Sequence, residues 1–466
     1  MGTGCFFRRM CQLRSRFSAA PELPFAEELS EESIRTALQK EGFSFRDCLY
    51  APWVTLWVFL SQVLSADHSC RDAVARFLAF RTVRGLKPCS TNTGAYCTAR
   101  QRLPESLVAR LVGQTGEQLQ EQALPEWHWH GRPVKLVDGT TASMPDTPAN
   151  EAAFGKPSNQ HGTGGFPLVR LVCVLSLATG AVLRAAAGAY RGKKTGELSL
   201  FRQLDDAFQP GDVLLGDRLF CNYGDIARLS KRGVDLVFAH DNKRTVDFRR
   251  GRRLGKGDHL ITWSKPLRRP EGLAPEEFAA APRNLTLREV RLRVSIPGFR
   301  VRTLVVVTTL LDPEAFSSAD ITALYRQRRQ AELDLRCLKG AMQMDVLRCQ
   351  SPDMVRKEIW MHLLAWNLLR SVMCSTAAEY GLNVRELSLK GTQQMLCAFY
   401  HQLTTTSPDQ LEKLCNLLLQ SIVPHRVGQR PNRFEPRKRK RPPKQYPLMK
   451  RPRHEERNYC RRNSFR

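Results

Sequence analysis

The sequence predicts a mixed α/β protein in which a sheet-bearing core stands between helical regions. Helix-period apolar patterning fills the early and late parts of the chain. Short β-forming runs separated by turn dipeptides fill residues 131–312 and alternate with helical stretches. At 466 residues the chain is longer than one hydrophobic core supports, so two or three domains are expected.

Residues 1–30 form an extension with little pattern. A helical N-terminal domain is expected over 31–125, beginning with Ser30 as N-cap of EESIRTALQK. Trp53, Leu56, Trp57, Leu60, Val63 and Leu64 recur at helical spacing, and a second helix is expected from near Asp67. Residues 90–119 continue in the same style, with Arg100, Arg102 and Arg110 on the surface, either to read DNA ends or as part of a packing scaffold.

The texture changes at Arg132. PVKLVDGT (133–140) reads as a short strand ending in Asp138, followed by a polar loop containing Asp146. Residues 166–190 read as two strands joined near Thr179-Gly180, and a helix is expected from Thr195 through Phe208, stopped by Pro210-Gly211. DVLLGDRLF is the next strand, with Asp217 at its carboxyl end, then a helix stopped by Gly233 and the strand VDLVFAH. This βββαβαβ order is that of a ribonuclease-H-like core, whose first and fourth strands are neighbours, and it would set Asp138 beside Asp217. Residues 241–300 are basic and punctuated by Pro and Gly, and read as a β-rich insertion within a catalytic domain spanning 131–350. The core resumes at RTLVVVTTLLD, and helices follow over 351–424.

After the core comes LYRQRRQAELDLRCLKGAM (324–342). On one continuous helix at about 100° per residue, Tyr325, Arg328, Glu332 and Lys339 fall within roughly 60° of one another. Leu324, Ala331, Leu335, Leu338 and Met342 form an apolar strip beside them that would seat the helix on a core.

Net charge is +27, which implies a polyanionic partner. LVVVTTLL, the longest apolar run, is far short of the roughly 20 residues a membrane helix needs, and no signal-peptide pattern opens the chain, so nucleic acid is the expected partner and no membrane is. Residues 425–466 carry 16 Lys and Arg against 3 Asp and Glu, a basic tail that either binds DNA or is simply solvated and disordered. Fourteen scattered cysteines without C-x-x-C spacing argue for reduced thiols in a cytosolic setting. Trp127-His128-Trp129-His130 offers two histidines with no nearby partners, which does not read as a metal site.

Asp138, Asp217 and Glu332 stand on separate elements. Three carboxylates around one point repel unless cations are present, and such oxygen donors suit Mg²⁺ or Mn²⁺, two of which can serve phosphodiester chemistry. The spacing Y-x2-R-x3-E-x6-K over Tyr325, Arg328, Glu332 and Lys339 resembles the signature of the insertion-sequence-four family of DDE transposases. LVDGTT around Asp138 and LLGDRLF around Asp217 are similar to that family's first two acidic motifs, and the likeness runs from about residue 30 to 450.

The resemblance implies metal-dependent cut-and-paste transposition of an insertion sequence by a bacterial, cytoplasmic, nucleoid-associated enzyme. Asp138, Asp217 and Glu332 would bind two Mg²⁺ or Mn²⁺ ions, and Tyr325, Arg328 and Lys339 would hold phosphates at the cleaved end. The DNA partners would be the element's terminal inverted repeats and the target, bound by a dimer in a synaptic complex. In relatives the insertion supports a DNA hairpin; Trp263, in LITWSKPLRR, is either an aromatic that stacks on a flipped base or an ordinary buried Trp. Arg191, Lys193 and Lys194, before the Thr195 helix, either meet phosphates or form a solvated charge run, and Glu197 reads as a first-turn helix acid rather than a metal ligand. The rival readings are a domesticated or inactive DNA-binding protein and a hydrolytic nuclease on the same fold.

Overall fold

The computed structural model describes residues 31–40, 42–45, 48–159, 162–241, 244–270, 272–294, 302–406, 408–427 and 452–463. They divide into two compact units: one from Met1–Leu124, Thr179–Leu183 and Arg336–Val427, the other from Pro125–Ala178, Arg184–Leu335 and Gly428–Arg466. In chain order the helices are α1 (Glu31–Lys40), α2 (Pro52–Leu64), α3 (Cys70–Val83), α4 (Gly94–Arg102), α5 (Glu105–Glu121), α6 (Pro148–Phe154), α7 (Glu197–Phe201), α8 (Tyr223–Lys231), α9 (Pro275–Ala280), α10 (Ser318–Arg326), α11 (Arg329–Gly340), α12 (Pro352–Tyr380), α13 (Leu389–Thr405), α14 (Pro408–Ile422) and α15 (Arg453–Asn463). The strands are β1 (Val134–Ser143), β2 (Ser158–Asn159), β3 (Gly162–Thr163), β4 (Leu168–Ser176), β5 (Val182–Ala189), β6 (Val213–Gly216), β7 (Asp235–Ala239), β8 (Arg252–Gly255), β9 (Asp258–Ser264), β10 (Asn284–Val294) and β11 (Arg302–Thr308).

The first unit is helical, and the helices before residue 125 and those after 351 share it. Ser30, expected as the cap of α1, lies outside the described residues. The next two helices start where the sequence offers an N-terminal signal. Pro52 opens α2, where its missing N–H costs nothing, and the Ser69 side chain accepts from the Asp72 N–H, so α3 begins at Cys70 rather than near Asp67. The long α12 ends at Gly381, whose φ of 62° is the left-handed conformation that glycine adopts without steric cost. Asn367 on α12 is fully buried, and its side chain serves as a ladder partner for Val182, accepting from its N–H at 2.8 Å and donating to its carbonyl at 2.9 Å. Both polar atoms of its side chain are thus satisfied, which makes its burial tolerable.

Two expectations change in this unit. Arg100 is buried rather than on the surface: its guanidinium donates to Gln62 Oε1 at 3.2 Å and lies 5.0 Å from the Tyr96 ring centroid, so it serves the helical core. The basic tail begins later than residue 425. The Ser388 N–H bonds the His425 carbonyl at 2.7 Å and the Val427 N–H bonds the Glu386 carbonyl at 2.6 Å, so 425–427 belong to the helical unit. Residues 428–451 of the tail lie outside the described residues, and α15 follows them as a helix.

In the second unit nine strands form one sheet in the order β5-β4-β1-β6-β7-β11-β10-β9-β8. β1 runs parallel to β6 and β6 parallel to β7, while β4 and β11 pair antiparallel with β1 and β7. The central strands are apolar and buried, as a sheet covered on both faces requires. Strands β8, β9 and β10, expected as an inserted β-rich subdomain, continue the same sheet beyond β11 through antiparallel pairing. Fully buried Arg288 on β10 fastens this extension to the loop before α10: it forms a two-pronged pair with Asp258 at 2.8 and 2.6 Å and donates to the Phe316 carbonyl at 2.7 Å.

Three further expectations are corrected here. β1 runs on to Ser143, so Asp138 sits in mid-strand, because β4 continues to pair with it as far as Leu168. The helix expected over residues 195–208 is only α7, followed by a short 3-10 turn at Asp205–Ala207. The helix expected over 324–342 is broken. Successive i→i−3 hydrogen bonds from Gln327, Arg328, Gln330 and Ala331 tighten the chain between α10 and α11, so Tyr325 lies on one helix, Arg328 at the break, and Glu332 and Lys339 on the next.

Candidate active site

Parallel pairing brings the first two acids together. Leu136 stands opposite Leu215, and two steps further along the same register Asp138 comes level with Asp217, which follows β6 immediately. Each carboxylate is held by a backbone N–H: Asp138 Oδ1 accepts from Gly139 at 2.9 Å, and Asp217 Oδ1 from Leu219 at 2.8 Å. The third acid arrives on a capped helix pair. Ser317 and Asp320 close a capping box at the start of α10, which packs on β7 and β10, and the tight turn then carries the chain into Glu332 in the first turn of α11.

Arg328 sits among these acids. It is ion-paired and hydrogen-bonded to Glu332, and both Tyr325 and Asp138 lie within its electrostatic reach. Burial works against its charge, but the Glu332 hydrogen bond, followed by Tyr325, Glu332 and Asp138, raises its pKa above the ordinary value. Burial likewise lifts the Tyr325 phenol, with Arg328 pulling it down and Asp217 pushing it up. The break between helices therefore gathers tyrosine, arginine and glutamate where a continuous helix had been expected to align them.

Asp138 is strongly perturbed. Burial lifts its pKa from 3.8 to about 6; the Gly139 N–H and Arg328 oppose the rise, and the charges of Asp217 and Glu332 add to it. Carboxylate oxygens of this kind are donors for hard divalent cations, and the residual repulsion at Asp138 is what a cation would relieve. Among the described residues no group of three or more His, Cys, Asp and Glu side chains is drawn tightly enough around one point to hold an ion, and Glu332 is paired with Arg328. The donor set fits a divalent metal in chemistry and charge, with Arg328 as the cation that Glu332 holds here.

The remaining expected residues fall elsewhere. Lys339 is half-buried, on α11 seven residues beyond Glu332. Arg191, Lys193 and Lys194 are exposed, but α7 begins only at Glu197 and has five residues, so the expected helix N-terminus for phosphate is not there. Trp263 is buried at 4% exposure, its indole N–H donates to Glu289 at 3.2 Å, and Arg244 covers its ring at 4.0 Å. Its ring is not offered to a base, and of the two readings the packed core tryptophan is the one observed.

Glu197, expected as a first-turn helix acid rather than a metal ligand, stands in the first turn of α7. Its carboxylate lies against Gly139, the residue after Asp138: a Cβ there would stand 2.6 Å from Glu197 Cδ. Burial raises its pKa, Arg170 opposing and Asp217 reinforcing the shift. The signal available in the sequence was the glycine itself, standing in a strand where a β-former would be expected.

The family described as Transposase DDE domain matches residues 129–368, more than half of the chain. The transposase InsG of insertion sequence element IS4 from Escherichia coli K12 is 29% identical over 359 residues, covering 76% of this chain and 77% of that protein. The cryo-EM structure of the piggyBac transposase synaptic complex with hairpin DNA aligns at a TM-score of 0.44 and 10% identity, over 89% of this chain and 85% of that one.

Proposed function

The chain belongs to the DDE transposase family, in the branch of the insertion-sequence-four element, and is a DNA transposase; from that premise we propose that Asp138, Asp217 and Glu332 are its catalytic acids. The observation that carries this reading is electrostatic contact: Asp138 feels Asp217, Glu332 and Arg328 at once, although the three acids come from a strand, a strand end and a helix. The five long strands from β1 to β7, counted in chain order, stand as 3-2-1-4-5, which supports a ribonuclease-H-like core.

The family works with divalent metal ions, and here Asp138, Asp217 and Glu332 would hold two Mg²⁺ or Mn²⁺ ions. Bound there, such ions supply Lewis-acid activation of the attacking oxygen and neutralise the leaving one. The chain's own residues do the rest. Arg328, released from Glu332, presents a planar fork to a phosphate, Tyr325 donates a hydrogen bond beside it, and Lys339 adds a point charge along α11. Arg191, Lys193 and Lys194, exposed on one loop, neutralise backbone phosphates without reading sequence. The sequence of events is end binding by a dimer in a synaptic complex, nicking, hairpin formation and strand transfer to target DNA, in the bacterial cytoplasm at the nucleoid.

Glu332→Gln tests the assignment. The variant is expected to bind the element's ends as the parent does and to show no Mg²⁺-dependent nicking on a labelled end duplex. Cleavage at the parental rate would overturn it.

A further inference from the structure

We propose that Arg253, Lys256, Arg291 and Arg293, on the far strands of the sheet, form a surface that grips the phosphate backbone of duplex DNA without reading its sequence. The inference rests on the chain's being a DNA transposase and is independent of the assignment of the three acids.

Three observations carry it. All four side chains are exposed, and among the described residues none of them has an ion-pair or hydrogen-bond partner. Nearby Arg249 and Arg250, by contrast, are neutralised by Asp247 at 2.9 and 3.6 Å. Second, strand pairing gathers the four. Arg253 stands opposite His259, and His259 stands opposite Glu289 with their side chains hydrogen-bonded at 2.9 Å, so the three share a face. Arg291 and Arg293 follow Glu289 at two-residue steps onto that same face. The Arg291 N–H donates to the Gly257 carbonyl at 2.7 Å, which sets the exposed Lys256 turn beside it. Strands two steps apart lie about 10 Å from each other, a span over which one DNA strand presents about three phosphates. Third, the Arg291 guanidinium lies 4.3 Å from the Phe248 ring centroid, so one of the cations is already held in place before DNA arrives.

Edge protection is the competing account. β8 is the last strand of the sheet, and charged residues on such a strand keep other chains from pairing with it. That explains Arg252 and Arg253 but not Arg291 and Arg293, because β10 is paired on both sides. Arg252 is exposed on the same strand as Arg253 and alternates to the opposite face, so it separates the two accounts.

The test uses the full chain in EDTA, so that binding is read without chemistry. Two fluorescent duplexes, one carrying the element's end and one of random sequence, are titrated between about 50 and 200 mM salt. The triple variant Arg253→Gln/Arg291→Gln/Arg293→Gln is expected to bind both at least about tenfold more weakly, by the same factor, and to lower the slope of log affinity against log salt by about 2 to 3. Arg253→Gln alone should lower the slope by about 1, and Arg252→Gln should leave affinity and slope at the parental values. Parental binding by the triple variant overturns the proposal. So does an equal loss from Arg252→Gln, which would mean that charge acts from either face, and so does a loss confined to the element's end, which would mean base reading. Self-association of Arg253→Gln in sedimentation, with DNA affinity unchanged, leaves edge protection as its role and overturns the proposal too. Should the triple variant not fold, Arg293→Glu decides: weaker binding to both duplexes sustains the surface and parental binding overturns it. Nicking by Glu332→Gln would sink the assignment of the acids and leave this inference standing.

Discussion

Asp138→Asn should stabilise the metal-free protein, and only above a defined pH. The Asp138 pKa rises from 3.8 to about 6 on folding, so the folded state binds the proton more tightly than the unfolded chain does. The favourable contribution is complete below pH 3.8 and is lost as pH rises through about 6. At pH 8 the ionised carboxylate then costs up to about 3 kcal/mol, at roughly 1.4 kcal/mol per unit, and about 1–2 kcal/mol once solvent screening of a partly exposed group is allowed for. Asparagine removes the charge and keeps an oxygen for the Gly139 N–H. Urea unfolding in EDTA, followed by circular dichroism, should show the variant more stable at pH 8, with the gain shrinking to less than about a fifth near pH 4. A variant less stable than the parent at pH 8, or a gain that does not change with pH, would refute the account of a carboxylate strained by burial and by Asp217 and Glu332.

Two other outcomes follow from the same structure. Trp263→Phe removes the indole N–H donated to Glu289 and should cost about 1–3 kcal/mol in unfolding free energy, with hairpin yield per folded molecule unchanged on gels; hairpin loss at full stability would restore the base-stacking role. Truncation after Val427 removes most of the basic tail without touching the helical unit. It should weaken binding to DNA and flatten the slope of log affinity against log salt, and an unchanged slope would mean the tail contacts no phosphate.

The elements that sequence foretold are those whose signals are local. The turn at Thr179-Gly180 and the helix stop at Gly233 punctuate the chain through their own backbone preferences, and each stands at the boundary of an element. The errors arose where a neighbour in space overrode local pattern. β1 outran its apolar run because β4 offered it continued pairing. Arg100, polar and on a helix, went inside because Gln62 and Tyr96 met it there. The stripe from Tyr325 to Lys339 was drawn on an unbroken helix, and periodicity carries no sign of where i→i−3 bonding will tighten the chain.

Alone, then, the sequence determined the residue types and their order: acids after apolar runs, the Tyr, Arg, Glu and Lys spacing, and a basic surplus that demands a polyanion. These are one-dimensional facts, fixed by the chain and readable as chemistry. Tertiary structure decided which carboxylates meet. Strand register sets Asp138 level with Asp217, the break before α11 turns Glu332 to Arg328, and the bare backbone at Gly139 admits Glu197. Proximity between residues far apart in the chain is set by packing and pairing, and those are properties of the folded molecule.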